Sequence, residues 1–137
     1  MKPEESIDYH IKIAWQSVVN KYNQIASGYD MTQAVGYVLI SVDMEQGTSV
    51  SAVAANLGVR STSLSRILNT MEEQNWIVRK VDELDKRQVN IYLTDLGKQK
   101  QKVAKKVVRE FNEYLDEHIT SEEKKTLVVR KTMEDVV

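Results

Sequence analysis

Two short stretches rich in Val, Ile and Tyr, Trp76 to Val81 and Gln88 to Leu93, interrupt a chain whose other apolar residues recur at helical spacing. Six residues separate them, Asp82-Glu83-Leu84-Asp85-Lys86-Arg87, all but one charged. That pattern predicts a β hairpin with a polar tip. Just before it stand two short helical segments. The first carries Val53, Ala54 and Leu57, with Ser51 as its predicted cap and Gly58 as its turn. The second runs from about Ser61 to Gln74. Its Leu64, Ile67, Leu68 and Met71 fall at i, i+3, i+4 and i+7 and form one buried stripe, and Asn75 can close it in the left-handed conformation. Helix, turn, helix, hairpin is the order of a winged helix-turn-helix.

The flanking segments are helical. From about Ser6 to Ser27, Ile7, Ile11, Ala14, Val18, Tyr22 and Ile25 form an apolar face, with Gly28 as the expected stop. Thr32 is a candidate cap for a helix from Gln33 to about Glu45, and Gly47 breaks the chain. Thr94 or Asp95 opens a long helix in which Val103, Val107, Phe111 and Leu115 recur every four residues. Thr120 and Glu123 form a capping box for a last helix. The only proline is Pro3, so nothing breaks these helices from within. The expected class is mainly α with a small β hairpin. Residues 1–30 form an N-terminal dimerisation helix, 31–97 a winged lobe, and 98–137 the C-terminal dimerisation helices.

The helix from Ser61 is the candidate functional element. Opposite its apolar stripe lie Thr62, Ser65, Arg66 and Asn69, flanked by Ser63 and Thr70. Small hydroxyls let a backbone approach phosphate closely, and a helix N-terminus attracts anions. Arginine reads guanine bidentately and asparagine pairs with adenine, which makes Arg66 and Asn69 candidate base readers. At the hairpin tip, Lys86 and Arg87 are candidate phosphate or minor-groove contacts. Asp82 and Asp85 would repel DNA and are expected to pair with nearby cations and shape the turn. A Ser/Thr-rich surface helix with no partner, beside an ordinary charged hairpin, would carry the same residues. Charge does not decide between these readings. Net charge is -1, and between Gly47 and Lys98 seven basic residues oppose six acidic ones.

The chain resembles the MarR family of regulators. Val53-Ala54-Ala55-Asn56-Leu57-Gly58-Val59 is similar to that family's first motif helix and turn, and Ser61-Thr62-Ser63-Leu64-Ser65-Arg66-Ile67-Leu68 to its recognition helix. Asp85-Lys86-Arg87, followed by Ile91-Tyr92-Leu93-Thr94-Asp95-Leu96-Gly97, resembles its wing and the entry to its long dimer helix. Leu-Thr-x-x-Gly after the wing is the most discriminating piece. The family usually has a small cap where this chain has Arg60, so Arg60 becomes a candidate phosphate contact and Ser61 a candidate cap. It usually has an arginine just before the second wing aspartate. Leu84 stands there, and the recognition helix is expected to carry more of the binding than the wing.

The resemblance implies a homodimer on a double-stranded, pseudo-palindromic DNA site, acting as a repressor. The acidic N-terminus without a signal-peptide core and the lack of a long apolar run make the cytoplasm the expected compartment. It also implies possible release by a small aromatic or anionic effector, with Trp15, Tyr22, Tyr29 and Tyr37 as candidate pocket residues, although aromatics on helical faces also serve as core. Dimerisation is expected on physical grounds too, since the terminal helices carry more apolar surface than a small lobe can cover. With no cysteine, disulfides, thiolate zinc sites and thiol sensing are excluded. Two histidines, His10 and His118, make a poor metal set. No cofactor, catalytic constellation, signal peptide or membrane span is expected. The rival reading is a winged-helix interaction scaffold that does not bind DNA, favoured by the near-zero lobe charge and by Leu84.

Overall fold

Most helix boundaries fall where a side chain or a left-handed residue takes over orphaned backbone groups. The computed structural model describes residues 1–129. Helix α1 spans Ile7–Ala26. It ends within a residue of the expected Ser27, but Gly28 does not close it in the left-handed conformation. A 3₁₀ turn, Ser27–Tyr29, follows, and Asp30 takes the left-handed conformation at φ 58°. Aspartate is one of the few side chains that tolerates this region. Helix α2 covers Gln33–Ser41, with the Thr32 hydroxyl accepting from the Val35 N–H. It ends short of Glu45 because the Asp43 carboxylate accepts from the Glu45 and Gln46 N–H groups at 2.9 and 2.7 Å. That local bonding competes with helix.

Helix α3 spans Val50–Leu57 and is capped by Ser49, not Ser51, through the Ala52 N–H. Gly58 closes it at φ 69°. The next segment was expected to be α-helical from Ser61. Its first turn, Ser61–Leu64, is instead 3₁₀, and helix α4 runs Ser65–Glu73. No side chain caps that first turn; the Arg60 carbonyl receives the Ser63 N–H. Asn75 is left-handed at φ 63°, and the Trp76 N–H returns to the Met71 carbonyl. Of the α4 stripe, Leu64, Leu68 and Met71 are buried and Ile67 is half-buried.

Strands β2 (Ile77–Val81) and β3 (Val89–Leu93) pair antiparallel, with Ile77 opposite Leu93 and Val81 opposite Val89. The sheet has a third member that the hairpin expectation lacks. Thr48–Ser49, the strand β1, pairs with β3 in the order β1-β3-β2, with Thr48 opposite Ile91. Two residues are too few to leave an alternating pattern in a sequence.

Helix α5 spans Asp95–His118. The Thr94 hydroxyl accepts from the Gly97 N–H at 3.0 Å and donates to the Asn75 carbonyl at 2.6 Å, which ties the start of α5 to the end of α4. Further along α5, Gln101 is buried, and its Nε2 donates to the carbonyls of Leu39 and Val42 at the end of α2, both at 2.7 Å. The core joins Val38 and Leu39 of α2, Val53 and Ala54 of α3, Leu64 and the α4 stripe, Trp76, Ile77, Ile91 and Leu93 around the sheet, and Ala104 of α5.

Two compact units divide within α5, the first being Met1–Val107 and the second beginning at Val108. Within the second, the rings of Phe111 and Tyr114 stack, and Tyr114 contacts His118. Helix α6, Ser121–Val129, opens on the expected capping box. The Thr120 N–H donates to Glu123, and the Glu123 N–H donates to Thr120. The end of the expected C-terminal dimerisation segment, 130–137, lies outside the described residues. No helix among the described residues is long and apolar enough to cross a membrane.

Candidate nucleic-acid interface

With the α4 stripe turned into the core, the opposite face faces solvent. Arg60, Ser61, Thr62, Ser63, Ser65, Arg66, Asn69 and Thr70 are all exposed. Among the described residues, the side chains of Arg60, Arg66 and Lys86 have no ion-pair or hydrogen-bond partner. A cation without an internal partner is available to an external anion.

Three of the six acidic residues between Gly47 and Lys98 are engaged by other groups of the lobe. Glu72 pairs with the Arg79 guanidinium across the junction of α4 and β2. Asp82 accepts from the N–H groups of Leu84 and Asp85 at 3.0 and 2.9 Å, and from the Asn90 amide at 2.9 Å. These bonds, that from Asp85 foremost and that from Asn90 next, hold its carboxyl below the usual aspartate range. Asp85 accepts from the Arg87 backbone N–H and pairs with its guanidinium at 3.3 Å. The two wing aspartates therefore shape the turn as expected, Asp85 with the Arg87 cation and Asp82 with backbone and amide N–H groups instead of a cation. Leu84 stands at the tip, 99% exposed.

An open cleft of about 560 Å³ lies between the helix-turn-helix and the wing, lined by Ser61, Ser65, Arg79, Asp85, Arg87 and neighbouring residues. Hydroxyls from one element and guanidinium groups from another thus share one concave surface. The candidate effector aromatics lie elsewhere. Tyr22 is buried and meets Tyr37 edge to face at 6.1 Å, whereas Trp15 and Tyr29 are exposed. The rings of His10 and His118 bond to the backbone carbonyls of Glu4 and Tyr114. No cluster of three or more potential metal ligands occurs among the described residues.

The sequence model of the MarR family matches residues 29–88, which take in α2, the helix-turn-helix and most of the wing. Over these residues the chain is similar to the MarR family. The family consists of DNA-binding transcription regulators, not enzymes. The HTH-type transcriptional regulator SarZ of Staphylococcus epidermidis is 26% identical over 117 residues, spanning 85% of this chain and 77% of SarZ. The fold matches that of MepR of S. aureus, solved as a DNA complex, with a TM-score of 0.80 and 23% identity over 90% of this chain and 91% of that one. It also matches CouR, a transcriptional repressor solved on a 23-mer DNA duplex, with a TM-score of 0.77 and 24% identity over 92% and 89% of the two chains.

Two residues of this lobe escaped the sequence reading. Arg79 and Glu72 counted there only as charges. Arg79 lies opposite Ile91 in the sheet, half-buried, and its Nη2 donates to Asn69 Oδ1 at 2.6 Å while its Nε pairs with Glu72. The available signal was Asn69 and Glu72 at i and i+3, one flank of a helix, with a cation a few residues beyond the turn.

Proposed function

We propose that this chain is a MarR-family regulator, a sequence-specific transcriptional repressor that binds double-stranded DNA as a homodimer in the cytoplasm. The observation that carries the reading is the α4 face, where the unpartnered Arg66 stands among exposed hydroxyls while the opposite stripe is sealed in the core. Arg66 and Asn69 would read base edges. Arg60, Ser61, Thr62, Ser63, Ser65, Lys86 and Arg87 would hold phosphates and set the register. Two copies related by a two-fold axis require a pseudo-palindromic site.

The dimer reading is supported by α1, where Ile7, Ile11 and Trp15 lie one turn apart and are 80%, 55% and 55% exposed. A surface of that kind is usually covered by a partner. Residues 1–30 and 98–137 are the proposed dimerisation helices. An aromatic or anionic effector near Trp15, Tyr22, Tyr29 and Tyr37 would act by changing the spacing of the two lobes. A panel of phenolic acids that leaves the thermal midpoint unmoved would remove that part of the reading.

Arg66→Ala is expected to weaken specific binding by about 1–3 kcal/mol. Gel retardation on fragments selected from genomic DNA reads this directly, and equal affinity for the two proteins would take Arg66 out of the interface. The fully exposed Leu84 favours a second reading, an interaction scaffold. That reading gains if no genomic fragment is retarded even at low salt.

A further inference from the structure

Asn69 is not a free reader. Its Oδ1 accepts a 2.6 Å hydrogen bond from Arg79 Nη2, and no other hydrogen bond to its side chain occurs among the described residues. A guanidinium has only donors, so the amide atom facing Arg79 has to be the oxygen. Arg79 cannot easily let go. The same guanidinium is fixed by Glu72 through Nε, and it projects from a strand that pairs in full with β3. The planar amide puts its nitrogen on the side away from Arg79. A bidentate contact to adenine needs both edges of the amide, the oxygen for N6 and the nitrogen for N7.

We infer that Arg79 is a specificity-determining residue that acts through Asn69. By holding the amide oxygen inward, it leaves Nδ2 as the group Asn69 turns outward and denies adenine a bidentate partner. The inference rests on the DNA-binding reading and replaces adenine as the expected partner of Asn69. In the major groove the keto bases guanine and thymine present O6 and O4 as acceptors. Adenine and cytosine present the amino groups N6 and N4 as donors. A fixed donor finds acceptors at guanine O6 and N7 and at thymine O4, only N7 at adenine and none at cytosine. It therefore selects keto bases most sharply against cytosine and removes the bidentate advantage of adenine. Arg79 has a second effect on the same flank, since its charge balances Glu72, which would otherwise face the phosphates unpaired.

The test is selection of bound duplexes from a randomised pool by the full chain, compared with Asn69→Ala and Arg79→Lys. The position at which Asn69→Ala flattens the base preference is the one Asn69 reads. There the wild type is expected to favour guanine or thymine over cytosine by about tenfold, the size of one good base contact, and to show no preference for adenine over guanine or thymine. Arg79→Lys keeps a cation for Glu72 but cannot hold both partners, so the freed amide is expected to shift the preference toward adenine. A wild-type preference for adenine at that position overturns the inference. So does an unchanged keto preference in folded Arg79→Lys. If Arg79→Lys does not fold, the wild-type and Asn69→Ala profiles still decide the donor reading, because Asn69 is exposed. Enrichment of no sequence by any of the three proteins overturns the DNA-binding reading, and this inference with it.

Discussion

A methyl group on Gly97 would stand 1.9 Å from the carbonyl oxygen of Trp76. That oxygen already accepts the Thr94 N–H, and both belong to the joint where the wing hands over to α5. Neither backbone can yield without breaking the Thr94 cap. Gly97→Ala is therefore expected to cost about 1–3 kcal/mol, the usual range for overpacking, read as a lower denaturant midpoint at unchanged slope. The Leu-Thr-x-x-Gly motif was visible in the sequence as a string, and its reason is this contact. Other residue-level features were less legible. Asn75 was read correctly as a left-handed stop, because asparagine at the end of a periodic stripe has few other uses. Gly28 was misread, because glycine permits φ > 0 without requiring it, and Asp30 took that role. Asn69 was legible as an exposed polar residue but not as a held one, because its partner arrives from another element.

At the scale of elements, the wing turn is organised by one carboxylate. Asp82 is ionised more readily than a free aspartate because the N–H groups of Asp85 and Leu84 and the Asn90 amide favour its charged form. The depressed value fixes the sign. The stabilisation is complete above the ordinary aspartate range and is lost as pH falls through the lowered value. Carboxyl-carbon NMR is expected to show Asp82 titrating below the ordinary range, with amide exchange at Leu84 and Asp85 rising over the same interval. A normal titration would remove the turn's anchor. The junction of α2 and α5 depends on Gln101 in a similar way. Gln101→Met would leave two carbonyls of the α2 end without the amide that now serves them. The expected loss is about 1–3 kcal/mol in chemical denaturation, and less would mean that water replaces the amide. Helix and strand periodicity carried most of these elements. Gln101 lies on a helix of lysines and glutamines and gave no sign of burial, since pairing over such a sequence distance is a tertiary event.

For the whole molecule, the question is what covers α1. Ile11→Asp would put a charge on the exposed apolar face, away from the Val38–Leu39–Met71 core. Multi-angle light scattering is expected to show a dimer for the wild type and a shift toward monomer for Ile11→Asp, with the monomer also losing affinity for two-half-site DNA. A wild-type monomer at micromolar concentration would overturn the dimer. Net charge gave poor guidance at this scale because it treats Glu72, Asp82 and Asp85 as if they faced solvent alone, whereas each is engaged inside the lobe.

Ser49 is at once the last residue of β1 and the cap of α3. The strand that pairs with β3 of the wing and the first helix of the motif therefore share a residue. A torsion applied to the wing is passed straight to the first helix of the motif, with no slack peptide between them. In the proposed dimer, a lobe coupled in this way would move as one body, and an effector would act on where each lobe stands rather than on its internal shape.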